Sequence, residues 1–188
     1  MSTHLANFRH SYIVVPSTTS ENRKYIPMGF LDSQTIPTNA VLIIPDGDLF
    51  LFGQLTAQMH MAWVKYTCGR LKSDFRYSKD IVYNNYPFPQ NVSETNKKRV
   101  EEAAQTVLNT RQKYPSSSLA DLYDPLSMPP DLVKAHQALD KAVDLCYRPQ
   151  AFVNELARIE YLFSIYEQYD APMFKVKKEK NDKSFSLP

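Results

Sequence analysis

The apolar positions change period once along the chain, close to Pro89. Before that point they come in short β-branched runs cut by proline, the pattern of strands. Ser11 to Pro16 reads as a first strand, and Ser17 to Asn22 as a polar turn. Tyr25 to Phe30 reads as the returning strand, with Pro27 placing it at an edge or a bulge. Ala40 to Pro45 is apolar almost throughout, which predicts a third strand buried on both faces. Leu49, Phe52, Leu55, Met59, Trp63 and Tyr66 then recur at three- or four-residue steps. That stripe predicts one helix, capped by Asp46 or Asp48 and ended by Gly69 as a C′ glycine. Ile81-Val82-Tyr83 reads as a short strand, and Pro87 and Pro89 stop regular structure.

After Pro89 the spacing is helical. Val100, Ala104, Val107 and Leu108 give a narrow stripe over a helix from about Ser93 to Tyr114. Pro115 to Ser118 breaks it, and Leu119 to Met128 reads as an irregular connector. Leu132, Ala135, Leu139, Ala142 and Cys146 predict a second helix reaching about Tyr147. Phe152, Leu156, Ile159, Phe163 and Tyr166 predict a third, which Leu162 and Ile165 widen toward more than one neighbour. The expected class is α+β: a mixed α/β part over 1–89, a helical, bundle-like part over 90–172, and a basic disordered tail over 173–188. Met1 to His10 is polar and reads as a frayed or severed end.

Composition narrows the function. The 188 residues carry a net charge of only +2, so a nucleic-acid surface must come from local clustering. Between Met59 and Pro89 such a cluster exists. Lys65, Arg70, Lys72, Arg76 and Lys79 face only Asp74 and Asp80, interleaved with Phe75, Tyr77, Tyr83, Tyr86 and Phe88. Cations among aromatics on a turn-rich segment suit phosphates and base edges, and a solvated loop on buried aromatics is the plainer alternative. Cys68 and Cys146 form no CxxC pattern and read as reduced thiols. No apolar run is long enough for a membrane span, and no signal-peptide core is present, so a cytoplasmic location is expected.

Catalytic signatures are missing. The four glycines form no GxG turn for S-adenosylmethionine, and Asn84-Asn85-Tyr86-Pro87 has the letters of an amino-methyltransferase loop in the wrong order. Glu179-Lys180 lacks the strand and second carboxylate of a nuclease centre. His60 has no second ligand at helical spacing, which favours a structural role over a metal site. Asp121 and Asp124 around Tyr123 read as turn residues. Neither a catalytic centre nor a bound cofactor or metal is expected within this chain.

GRLKSDFRYSKDIVYNNYPFP resembles the end of the target recognition domain in single-chain restriction-modification enzymes of the MmeI kind (Type IIG/IIL). SYIVVPSTTSENRKYIPMGF, FGQLTAQMHMAWV, SLADLYDPLSMPPDLVKAHQALDKAVDLCY and ARIEYLFSIYEQY are similar to the same family, in its order. The resemblance runs from Phe8 to Tyr169. It implies the C-terminal part of an adenine-N6 DNA methyltransferase, whose upstream domain would use S-adenosylmethionine, with Mg2+ for any cleavage. Double-stranded DNA and that upstream methyltransferase domain are the implied partners. Lys72, Asp74 and Arg76 match the family's base-reading segment. A lysine donates to guanine O6 and N7 and a carboxylate accepts from cytosine N4, so Lys72 and Asp74 would specify one G·C pair if both point the same way in an extended loop. A local ion pair between them is the plainer alternative. Lys65, Arg70 and Lys79 would hold the DNA backbone. A module that docks on protein through its C-terminal helices, and a stand-alone methyltransferase or nuclease, are the rival classes.

Overall fold

The computed structural model describes residues 11–182, with side chains described through Tyr169. The expected frayed end over 1–10 lies outside the described residues. Strand β1 (Tyr12–Pro16) is the centre of an antiparallel sheet, between β3 (Gly29–Leu31) and β4 (Val41–Pro45). Its Tyr12 is paired with Leu31 on one side and Pro45 on the other. Being central, the run buries Tyr12, Ile13 and Val15 completely. Strand β2 (Thr18–Thr19) follows one residue later and belongs to a second antiparallel sheet, in the order β2-β6-β5. There β5 is Gly69–Leu71 and β6 is Asp74–Arg76.

Ser17 is the elbow between the two sheets. Its N–H and Oγ donate to the Ala40 carbonyl at 3.0 and 2.7 Å, and its own carbonyl accepts from the Tyr77 N–H at 3.0 Å. Two strand expectations need correction. The returning strand starts only at Gly29, because Pro27 lacks an N–H and the chain turns around it, with the Met28 N–H donating to the Ile26 carbonyl. Strand β4 is not buried on both faces: it is an edge strand, and Ile43 remains 37% exposed. A continuous apolar run does not by itself tell an edge from a centre. The uncovered side lines a groove of about 350 Å³ with Tyr77, Lys79, Tyr83 and Asn84.

The expected single helix is two, α1 (Leu49–Thr56) and α2 (Gln58–Thr67), with Ala57 extended between them at φ −90° and ψ 164°. Asp48 caps α1 by accepting from the Leu51 N–H at 2.7 Å. Ala57 has no side chain with which to cap α2. Instead the Gln58 N–H donates to the Asp140 carboxylate, 2.8 Å away and brought in from the C-terminal half. Helix α2 stops at Thr67, Cys68 is extended, and Gly69 opens β5 without a positive φ, so it is no C′ glycine. In place of the strand expected at Ile81-Val82-Tyr83 stands a single π-helical turn, Lys79–Tyr83. Ser78 caps it, the Trp63 indole takes the Val82 carbonyl at 3.0 Å, and Ile81 stays 53% exposed.

The period change at Pro89 is as the spacing predicts: all strands among the described residues precede it. Beyond it come α3 (Glu94–Arg111), α4 (Leu119–Leu122), α5 (Pro130–Tyr147) and α6 (Glu155–Asp182). Ser93 caps α3, and Ser118 with Asp121 forms a reciprocal capping box on α4, inside the expected connector. The α6 backbone is helical to Asp182, well into the segment expected to be a disordered tail, while 183–188 lie outside the described residues. Trp63 of α2 meets Phe163 and Tyr166 of α6 at ring distances of 5.4 and 5.6 Å. The Arg158 guanidinium grips Asp144 with two hydrogen bonds, at 3.0 and 2.7 Å, which fastens α6 to α5.

A buried polar seam joins the β part to the helices. Arg111 donates to the Met28 carbonyl at 2.7 Å and to the Tyr123 hydroxyl. Tyr123 then contacts His136 Nε2 at 2.6 Å. Since the tyrosine oxygen already accepts from arginine, its proton goes to the imidazole. The histidine proton is therefore on Nδ1, which faces the Thr56 carbonyl without full hydrogen-bond geometry. Burial first, and the Arg111 charge second, hold His136 well below its ordinary pKa, so it is neutral. Its ring stacks on Tyr25 at 4.1 Å, and the Tyr25 hydroxyl donates to Asp140 at 2.7 Å.

Helices α1, α3 and α5 converge at Gly53. A Cβ there would lie 2.6 Å from Val100 Cγ1 and 3.3 Å from Leu139 Cδ1. Alanine gains about 1 kcal/mol of helix propensity over glycine, but overpacking against a stiff β-branched side chain costs about 1–3 kcal/mol. Gly53→Ala should therefore lower stability in urea, and it should cost less in a Val100→Ala background than in the unaltered chain. Full additivity of the two losses would contradict the close approach. A second expectation concerns Asp140, whose carboxyl burial pushes up from 3.8 to about 6, against the hydrogen bonds from Gln58 and Tyr25. A raised acid stabilises the fold in its protonated form. That contribution is full below the unfolded value and is lost as pH rises through the folded one. That contribution should fall by as much as about 3 kcal/mol between roughly pH 4 and 6.5, against the opposite trend from the buried, neutral His60 and His136, whose depressed pKa values weaken the fold as pH falls. The stability difference between the unaltered chain and Asp140→Asn should fall by that amount as pH rises over this range, as urea titrations at stepped pH would show.

Candidate nucleic-acid interface

The β5–β6 hairpin carries the three side chains expected to read bases. Its register pairs Leu71 with Asp74, Arg70 with Phe75 and Gly69 with Arg76. On the other side of β6, Thr18 pairs with Arg76 and Thr19 with Phe75. Alternation along each strand then sorts the side chains onto two faces. Thr19, Arg70 and Phe75 share one face. Thr19 and Phe75 are buried, and the Arg70 guanidinium stacks 4.1 Å above the Phe75 ring. Thr18, Gly69, Leu71, Asp74 and Arg76 share the other, which is open to solvent apart from the half-buried Asp74.

Only Lys72 and Ser73 form the loop, and Lys72 takes φ 57° while Ser73 does not. A positive φ at the first loop position belongs to a turn where glycine is usual. A lysine there bears about 1 kcal/mol of steric cost. Arg70 braces the loop by donating to the Ser73 carbonyl at 2.8 Å, and reaches Glu21 at 3.2 Å. The extended stretch needed to point Lys72 and Asp74 the same way is thus absent. It is Asp74 and Arg76 that share a face, with Lys72 at the tip. No ion pair joins Lys72 to Asp74. Among the described residues, the side chains of Lys72, Asp74 and Arg76 make no hydrogen bond or ion pair.

The expected backbone-holding cations differ from one another. Lys65 is paired with Glu155 at the start of α6, and Arg70 is occupied as described. Lys79 is open to solvent beside Asp80, 3.8 Å away. Thr18 and Leu71 belong to the exposed face but escaped the sequence reading. Their placement follows from strand register, and β2 is only two residues long.

The remaining polar groups are structural. His60 is fully buried, with Nε2 2.8 Å from the Tyr77 hydroxyl, and burial pushes its pKa down to about 3. The Cys68 thiol donates to the Arg76 carbonyl at 2.8 Å, which ties the end of α2 to β6. Burial pushes both Cys68 and Cys146 up to about 11, so neither is a thiolate at neutral pH. Asp124 accepts from the Leu126 N–H at 2.9 Å, as a turn residue does. Gly47 lies in the turn between β4 and α1, but Ile13 fills the side where a Cβ would stand, so no cofactor cradle opens there. No group of three His, Cys, Asp or Glu among the described residues could hold a metal. No helix among them is long and apolar enough to cross a membrane.

Comparison with known proteins places this geometry. Residues 2–90 match the family model of the MmeI target recognition domain, and residues 92–174 that of the MmeI C-terminal domain. DNA methyltransferase A of Bacillus subtilis (strain 168) is 43% identical over 156 residues, which is 83% of this chain and 18% of that protein. The Type IIL restriction-modification enzyme MmeI, solved in complex with DNA, superposes with a TM-score of 0.84 at 44% identity. The match covers 88% of this chain and 22% of that one. The chain therefore spans about a fifth of the length of either relative. With two consecutive domain models and a solved relative in agreement, the chain belongs to the MmeI family, of which it carries target recognition and C-terminal domain sequence.

Proposed function

We propose that this chain is the DNA target-recognition part of an adenine-N6 DNA methyltransferase of the restriction-modification type. The observation that carries the proposal is the hairpin: Asp74 and Arg76 on one face of a ladder whose other face holds the buried Thr19 and Phe75, with Lys72 at its tip, and all three charges without a hydrogen bond or ion pair among the described residues. Free donors and acceptors on a rigid support are what base readout requires. Residues 11–89 lie along the duplex, and the helices that follow brace them through the Arg111 seam and the Asp140 cap. Lys72 donates to guanine O6 or N7, Asp74 accepts from cytosine N4, and Arg76 addresses a further guanine by a two-pronged contact. Lys79 meets phosphate directly. Lys65 and Arg70 reach phosphate only by exchanging Glu155 and Glu21, so they weigh less in the salt dependence of binding.

The methyl donor, S-adenosylmethionine, belongs to an upstream methyltransferase domain of the longer protein, as does Mg2+ to any nuclease. The described residues do not fit either group, and no step of methyl transfer is assigned to this chain. Its part is to select the duplex and hold it in register, in a cytoplasmic enzyme.

The charge exchange Lys72→Glu with Asp74→Arg tests the proposal. In the full-length enzyme it should change the preferred base pair at one position of the methylated sequence, read by methylation-sensitive sequencing, while methylation persists. An unchanged sequence in an active double variant would refute the assignment. Lys72→Gly separates folding from reading. It should raise hairpin stability by about 0.5–1 kcal/mol by relieving the positive φ, yet relax the choice at that position. A gain in stability with an unaltered preference would mean that Lys72 does not read.

A further inference from the structure

Leu71 is the one large apolar side chain on the open face of the β2-β6-β5 sheet, and it is 53% exposed. Its backbone is fixed by pairing with Asp74, and the loop beside it is braced by Arg70 on the Ser73 carbonyl. Leu71 is therefore held in solvent on a rigid support and adds nothing to the core. Around it stand only free polar groups: Lys72 at the tip, Asp74 directly across, and Arg76 farther along β6. Gly69, opposite Arg76, adds no side chain, so nothing on the strand screens Leu71 from a ligand lying on this face.

Two free cations beside an apolar tip suit the major groove, where the thymine 5-methyl is the single apolar group on a base edge. Leucine neither donates nor accepts, so it can tell thymine from cytosine only through that methyl. Directly opposed residues in a sheet stand about 5 Å apart at Cβ, comparable with the roughly 3.4 Å rise of one base step. We propose that Leu71 reads the 5-methyl of a thymine in the base pair adjoining the one contacted by Lys72 and Asp74. This rests on the DNA-recognition function proposed above and adds a reader to it.

The test uses the 188-residue chain and a pool of randomised duplexes, captured at low salt and sequenced. The captured sequence should contain a thymine beside the G·C pair. Replacing that thymine by uracil, which lacks only the methyl, should weaken binding about fourfold, the worth of one buried methyl. Leu71→Asn should bind thymine and uracil duplexes equally, with an unchanged thermal midpoint. Leu71→Met, which keeps an apolar tip, should retain the preference. Equal binding of thymine and uracil by the unaltered chain overturns the role of Leu71 and leaves DNA recognition standing. Capture without a preferred sequence overturns base reading by the whole face, and absence of capture overturns DNA recognition itself.

Discussion

Asp140 accepts from the Gln58 N–H and the Tyr25 hydroxyl, and from those two bonds the position of the β5–β6 hairpin follows. The first sets where α2 begins. Helix α2 in turn delivers Cys68, whose thiol holds the Arg76 carbonyl, and Gly69, where β5 starts. The second bond fixes Tyr25, which lies between β2 and β3 in the chain. One carboxylate on α5 thus orients both ends of the β part. A carboxylate at the first amide of a helix is favoured by the helix dipole, so the arrangement is sound even though burial disfavours the charge.

The other buried charges follow the same logic. A lone buried guanidinium would be costly, but Arg111 has a carbonyl, a hydroxyl and the Phe52 and Tyr123 rings around it. Arg158 and Asp144 satisfy each other with paired bonds. These contacts run between the β part and the helices, or between successive helices of the C-terminal half. The two halves matched by separate family models therefore share one interior, with Gly53 at a point where helices from both halves approach closely.

Much of this was legible in the chain. Helical spacing after Pro89, the strand at Tyr12 to Pro16 and the structural roles of His60 and Asp124 all follow from local pattern. What was not legible depends on distant partners. Nothing near Ala57 announces that Asp140 will cap a new helix there. Nothing in Ile81-Val82-Tyr83 reveals that Trp63 will claim the Val82 carbonyl and hold a π-helical turn. The basic cluster was visible, but not its division. Lys65 and Arg70 are neutralised by Glu155 and Glu21, far away in sequence, while Lys72 and Arg76 are left free. Lys72 and Asp74 do not share a strand face for a local reason: the loop is only two residues long, so the extended stretch ends at Leu71.

Phe75 sits inward between Asp74 and Arg76, and this fixes how the surface can diversify. Inserting or deleting one residue in the hairpin would turn the ring into water and a charge into the core. Exchanging a side chain at an outward position disturbs no buried contact. Under the role proposed for this face, a lineage of such proteins changes its recognition sequence by exchanging outward side chains and not by altering the hairpin's length, because the frame is locked by a single aromatic ring.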